Sequence, residues 1–503
     1  MENKFIQKYE EKISGCISCF DRIIISGSLN KWGYKDGMFS YLMRNNIRIM
    51  DFQKFGKGYT DKLKENIEKI AKAEAIEIEH IRNPGKFDKE KEVKKAIEKT
   101  NKQEGIIKIY SSMEISSSYE SNWNNKTKKV SLKVIRPRIL NYYIYFWDRS
   151  LGLCFIRIPT WLPCSIQFYF NGHNYLAYKL NKHKIDYQME DNAFIYISDY
   201  ETAQKLSDDV RAKQLHEWLD KIIERYIPFL KETGQSYRWT ILQSEYSTDI
   251  IFKDKNDLRL LYESLTINAI HSVKPENIAT FFSRALAAHY QGDVGTRYNK
   301  KIQSTRIKHY MGANSIKMYD KASVVLRIET TVNDIYQFPS YREVVTRTGQ
   351  KVLKHTIMKK NIYSFFELSK LCKSSNHRYM EFISSFDDNL SGKHNLNKIS
   401  EKIYQEGRSY KGFNFFDCFD LNLLLAINSG EFNINGFRNK SLKNKLHQQV
   451  SSPTVSRLLK RLRLHGLIKR VKNTLKYYLT SLGRKVIAVA LMLKEKEIIP
   501  ALC

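Results

Sequence analysis

The chain is short of negative charge, of long hydrophobic runs and of glycine-rich phosphate loops. Across 503 residues, 53 Asp and Glu stand against 84 Lys and Arg, a formal charge of +31. Such an excess repels itself unless a polyanion meets it, so nucleic acid is the partner this balance favours. No run of about 18 uncharged apolar residues occurs, and no membrane partner is expected. The opening residues MENKFIQKYEEK hold no apolar h-region, which points to a cytoplasmic protein. Seven cysteines, odd in number and scattered, argue against a disulfide framework. Cys16 and Cys19 form one CxxC, but zinc needs two further ligands, and Cys154 or Cys164 would reach it only through a particular fold; structural zinc is not expected. Neither GxxxxGK[ST] nor GxGxxG is present, so a P-loop or dinucleotide fold has no support, and FGKGY at 55–59 reads as a turn.

What is present suffices for packed cores: 42% of residues are hydrophobic and 13% aromatic. The length calls for several domains. Residues 1–130 alternate strand-like runs (DRIIISGSL, AIEIEHI, GIIKIYSS) with charged helical stretches and read as an α/β domain. The basic stretch NNKTKKVSLKVIRPR, 124–138, reads as an exposed connection or a solvated strand edge. Residues 131–235 read as an α+β ferredoxin-like unit, with strand pairs in YYIYFWDRSLGLCFIRI and IDYQMEDNAFIYI and helices from near Asp199 and Val210. Between those pairs, Tyr169, Phe170, Leu176, Ala177 and Leu180 fall at helical spacing, which predicts a helix from Pro163 with His173 in its core stripe. A second α+β unit covers 236–345, a helical connector 346–415 and a winged helix-turn-helix 416–503. The fold class is thus mixed α+β and α/β with several domains. The sequence leaves oligomeric state open, a homo-oligomer included.

In the last segment Ser452 suits an N-cap, Pro453 the first helical position and Gly466 the helix stop. Val455, Leu458, Leu459 and Leu462 form one apolar face. Thr454, Ser456, Arg457, Lys460 and Arg461 form the other, suited to base edges and phosphates, and Lys469, Arg470, Lys472 and Lys476 lie in the following basic hairpin. The segment resembles the MarR-type winged helices of transcription regulators over some 80 residues.

SIKMYDKASVVLRIETT, 315–331, alternates with period two. Ile316, Met318, Leu326 and Ile328 fall on one face; Lys317, Tyr319, Lys321, Arg327 and Glu329 fall on the other, expected to be accessible. A tyrosine phenol can attack a phosphodiester when a cation stabilises the phosphorane and a carboxylate holds a metal, whereas opposite charges paired across strands need no substrate at all. GANSIKMYDKASVVLRIE resembles the motif of rolling-circle plasmid replication initiators, in which the tyrosine nicks DNA and a divalent metal is held by acidic residues. That resemblance implies Tyr319 as nucleophile, with Lys317 and Arg327 beside it, Glu329 as a metal ligand and Mg²⁺ or Mn²⁺ as cofactor. The His-hydrophobic-His metal motif of the wider nicking superfamily is absent; Glu245, Asp249 and His309 are the nearest candidate ligands. The whole chain also resembles a group of uncharacterised bacterial proteins sharing RIPTW, QFYFNGHN, SVKPENIATF and a winged-helix end.

The expected function is therefore a DNA-binding replication-initiator- or transposase-like protein of a mobile element. Two alternatives stand beside it. One is a MarR-like regulator without catalysis. The other is an RNA-binding protein that stacks bases on exposed aromatics such as Tyr143 and Tyr145.

Overall fold

The computed structural model describes residues 4–100, 104–125, 128–209, 211–286, 290–300, 305–345, 349–385, 399–405, 407–446, 450–471 and 474–492. Helices and strands are both abundant, so the chain is of mixed α+β class. It divides into two compact units, each assembled from distant stretches of sequence. The first comprises residues 1–14, 252–330 and 374–503, and the second 15–251 and 331–373.

The second unit is built on strands β1 (Ile13–Leu29), β2 (Ile78–Ile81), β3 (Gly105–Ile115), β4 (Ser118–Asn124), β5 (Lys129–Ile135), β6 (Arg138–Asp148), β7 (Gly152–Pro159), β8 (Ile166–Asn171), β9 (Tyr187–Glu190), β10 (Ala193–Ile197) and β11 (Tyr237–Phe252). Seven of them lie side by side in the order β11-β1-β8-β7-β6-β3-β2, so strands from residues 1–130 and from 131–235 share one row. β2 and β3 run parallel, joined by the helix Lys89–Thr100 as a parallel pair requires; β3, β6, β7, β8 and β1 follow one another antiparallel. Within the basic stretch 124–138, Lys129–Ile135 forms β5, which pairs with β4 in a separate hairpin with most of its residues exposed.

Two local expectations are corrected here. The predicted helix from Pro163 begins as β8, because Ile166, Phe168 and Phe170 alternate into the core at period two. The helix Gly172–Lys182 starts only after Asn171, whose side chain accepts from the His173 amide as its N-cap. FGKGY is no turn but lies within the helix Phe52–Ala73. Its Gly56 is buried against the Trp161 ring, where a Cβ would come within 2.9 Å, so packing outweighs the weak helix propensity of glycine.

The first unit holds strands β12 (Val294–Lys300), β13 (Thr305–Met311), β14 (Asn314–Lys321) and β15 (Val325–Val332) in sequential order. The helix Lys255–Ser272 packs on β13, as does the short helix Pro275–Phe281. The same unit carries a C-terminal run of helices Cys418–Ile427, Gly430–Asn435, Asn439–Lys445 and Ser452–Leu464, a two-stranded hairpin (Ile468–Arg470 and Tyr477–Leu479) and the helix Ser481–Met492. These close on one apolar core that includes Leu424, Phe437, Val455, Leu462, Leu479 and Val486. Among the described residues no helix is long and apolar enough to cross a membrane.

Candidate functional site

The hairpin β14–β15 turns through Ala322 and Ser323, both at positive φ. Pairing with β13 sets Ile316 opposite His309 and Met318 opposite Ile307. Directly opposed residues point to the same face, so these four share the buried side of the sheet. Thr330 lies on that side too and hydrogen-bonds Asn376.

Lys317, Tyr319 and Glu329 point the other way and meet. The Tyr319 hydroxyl donates to one oxygen of Glu329 at 2.7 Å, and the Lys317 ammonium donates to the other at 2.5 Å. Glu329 is 2% exposed, while Tyr319 and Lys317 are partly open to solvent. A single carboxylate thus orients a phenol and an ammonium side by side, and it is placed to receive the phenolic proton. The cross-strand pairing of opposite charges is present as well, between Lys317 and Glu329.

The expectation of a broadly accessible face fails on β15, where every residue from Val325 to Val332 is buried. Arg327 is 0% exposed. Strand alternation assigns a side chain to a face but says nothing of what covers that face.

His309 does not fit a metal site with Tyr319. It lies on the opposite side of the sheet, with one ring nitrogen 2.8 Å from the Thr296 hydroxyl and the other 3.0 Å from the Tyr379 hydroxyl. Burial pushes its pKa down to about 3, so the ring stays neutral.

Glu245 and Asp249 lie in the second unit on one face of β11, with Ser247 between them in the alternation. Asp249 is fully buried, 3.5 Å from His173, whose other nitrogen is 3.3 Å from Asp21. His173 is accordingly a core histidine, set between two carboxylates. Asp21 also accepts from Asn171 and Asn192. The Thr331 hydroxyl reaches Glu245 at 3.4 Å, and carboxylate oxygens of Glu245 and Asp21 come within 4.8 Å of each other. Asp21 escaped sequence reasoning, although a lone acid inside the apolar run CFDRIIIS was a signal.

In the C-terminal segment Val455, Leu458, Leu459 and Leu462 are buried as the periodicity requires. The N-cap is Ser451, one residue before the expected Ser452; its hydroxyl accepts from the Thr454 amide, and Ser452 and Ser456 instead bond Asn439. Gly466, at φ +69, takes the left-handed conformation that ends the helix. Arg457 is exposed, as are Lys469 and Arg470 of the hairpin, and Arg463, which the sequence pattern omitted. Thr454, Lys460 and Lys476 are half-buried; Lys460 sits over the Tyr410 ring and Lys476 over that of Tyr478. Lys472 lies outside the described residues.

Arg461 does not point to solvent with the other cations. Its guanidinium grips both oxygens of Asp420 at 2.6 and 2.8 Å, donates to the carbonyls of Lys411 and Gly412, and lies over the Phe413 ring. The aromatics proposed to stack RNA bases are also interior: Tyr143 and Tyr145 are 9% and 3% exposed, and Tyr143 donates to Glu114.

No protein-family model, curated protein or solved structure matches this chain.

Proposed function

We propose that the protein binds DNA and nicks it through Tyr319, as a replication initiator or transposase of a mobile element does. The observation that carries this reading is the Tyr319–Glu329–Lys317 contact, in which a partly exposed tyrosine donates to a buried carboxylate while an ammonium flanks it. The phenolic oxygen attacks phosphorus, its proton passes to Glu329, and the bond from phosphorus to the 3′ oxygen breaks. That oxygen leaves as a hydroxyl after taking a proton from water, and the 5′ phosphate remains on Tyr319. Lys317 offsets charge gathering on the phosphorane.

Mg²⁺ or Mn²⁺ would further neutralise that phosphate charge. Glu329 is the carboxylate beside the phenol; in the second unit, Asp21 and Glu245 are near enough to one another to share a cation. His309, with both nitrogens engaged, is not a ligand in this reading.

The C-terminal segment acts as a winged helix that locates the site. Its helix Ser452–Leu464 offers Ser456 and Arg457 to the bases, and its hairpin offers Lys469 and Arg470 to the backbone. The order of elements and the exposure of these residues support this reading.

Incubation with Mg²⁺ or Mn²⁺ and end-labelled single-stranded DNA tests the proposal. A denaturation-resistant adduct is expected, lost in Tyr319→Phe and strongly reduced in Glu329→Gln. Duplex binding that needs Arg457 but never yields cleavage would instead favour a MarR-like regulator.

A further inference from the structure

The second unit carries a chain of three polar side chains that none of this chemistry uses. His216 and Asp220 stand one turn apart on the helix Ala212–Tyr226, and the short turn Ile362–Ser364 packs against that helix. The Tyr363 hydroxyl lies 2.9 Å from His216 Nδ1, while the other ring nitrogen, Nε2, faces an Asp220 oxygen at 3.5 Å. The second Asp220 oxygen accepts from the Trp239 indole at 2.8 Å. A carboxylate only accepts, so Asp220 favours the tautomer with its proton on Nε2, which leaves Nδ1 to accept from the phenol. Tyr363, His216 and Asp220 thus stand in the order of nucleophile, base and orienting group.

A hydrogen bond between surface side chains is common and needs no substrate. Here both ends of the chain are fixed from behind. Trp239, only 2% exposed on β11, holds Asp220 from the sheet. Tyr363 stands on a turn whose Ile362 and following Phe365 are each 1% exposed, and its amide donates to the Asn361 side chain at 2.8 Å. The backbone that carries the phenol is thereby set, while Tyr363 itself remains 54% exposed, within reach of a molecule arriving from solvent. The relay also selects the electrophile. Phosphoryl transfer needs positive charge fixed at the phosphate oxygens, and the fixed charge that this relay supplies is the Asp220 carboxylate. Attack on an uncharged acyl carbon asks only for the base and its orienting group.

We propose that Tyr363 is a nucleophile for acyl transfer, with His216 as its general base and Asp220 as the positioning residue, and that the substrate class is an activated carboxylic ester. The phenolic oxygen adds to the acyl carbon as its proton passes to His216 Nδ1. The tetrahedral intermediate collapses, the bond from the acyl carbon to the leaving oxygen breaks, and that oxygen takes the proton from the imidazolium. Water deprotonated by Nδ1 then adds to the acyl group on Tyr363, the phenolic oxygen leaves and recovers its proton, and the carboxylic acid is released. Ester and water thus become acid and alcohol with no further reactant. Asp220 offsets the imidazolium charge in both halves. The proposal stands on the second unit alone and is independent of Tyr319 and of the C-terminal segment.

Brief treatment of the full-length protein with p-nitrophenyl acetate, quenched in acid before the acyl group turns over and followed by tryptic peptide mapping, provides the test. Tyr336 and Tyr404, 55% and 76% exposed, serve as internal references for an unassisted phenol. Acetylation of Tyr363, read in the peptide 361–370, should run at least about tenfold faster than that of either reference, as general-base catalysis requires. His216→Ala should bring it down to the reference rate and Asp220→Asn should slow it several-fold, with Tyr336 and Tyr404 unchanged in both as the control on folding. Release of p-nitrophenolate should continue past the first turnover, and the excess should vanish in Tyr363→Phe. Acetylation of Tyr363 no faster than that of the references, or unaltered in His216→Ala, would overturn the proposal, as would labelling of Tyr363 by p-nitrophenyl phosphate with none by the acetate.

Discussion

Replacing Arg461 by alanine separates a DNA contact from a structural one. Arg461 and Asp420 are 14% and 3% exposed, and the guanidinium makes two bonds to the carboxylate, two further bonds to backbone carbonyls and a cation–π contact with Phe413 at 3.9 Å. Alanine strands the Asp420 charge in a nearly dry position. Breaking a buried pair by removing one partner costs about 3–5 kcal/mol. In a chain of two units a single melting temperature is a poor reporter, so the change is best read by hydrogen exchange. Amides in the helices Cys418–Ile427 and Ser452–Leu464 should exchange roughly a hundred- to several thousand-fold faster, at about 1.4 kcal/mol per decade. Arg461→Met with Asp420→Leu should recover much of the loss, because an apolar pair of similar volume avoids the stranded charge. Desolvation raises the Asp420 pKa, but its bonds from Arg461 and the Asn414 amide outweigh that, so the net displacement is downward. Its stabilising contribution is therefore present above the unfolded carboxylate value of about 3.9 and is lost as pH falls through the depressed folded value. Arg461→Ala with unchanged exchange but weakened DNA binding would refute this account and return Arg461 to the DNA-facing set.

Three further outcomes are expected. Arg457→Ala should leave exchange in the same helices unchanged and weaken duplex binding, the reverse of the Arg461 result. His309 has a folded-state pKa pushed down to about 3 by burial, so its contribution holds above pH 6.5 and is lost as pH falls toward 3, at about 1.4 kcal/mol per pH unit; His309→Gln should flatten that part of the urea-midpoint profile. Gly56→Ala should destabilise the second unit by about 1–3 kcal/mol in spite of the better helix former, because its Cβ meets the Trp161 ring; an unchanged urea midpoint would show that the ring moves aside.

Much of this architecture was legible locally, while the rest depended on what lies across from each residue. Alternation in 315–331 correctly grouped Lys317, Tyr319 and Glu329, but the burial of Arg327 depends on distant chain that no short pattern contains. The stretch 166–180 satisfied both periods, since Phe170 and Leu176 fit a helix while Ile166, Phe168 and Phe170 fit a strand; the Asn171 cap decided where one gave way to the other. Arg461 looked like its neighbours on the helix because its partner Asp420 is 41 residues away. The domain boundaries drawn along the sequence are contiguous, whereas each compact unit is assembled from separated stretches.

Peptide mapping by mass spectrometry, after reaction with single-stranded DNA and Mn²⁺, tests the central claim most directly. The account predicts a nucleotide attached through its 5′ phosphate to the tryptic peptide containing Tyr319. Attachment to another residue, or cleaved DNA with no protein bound to it, would contradict it.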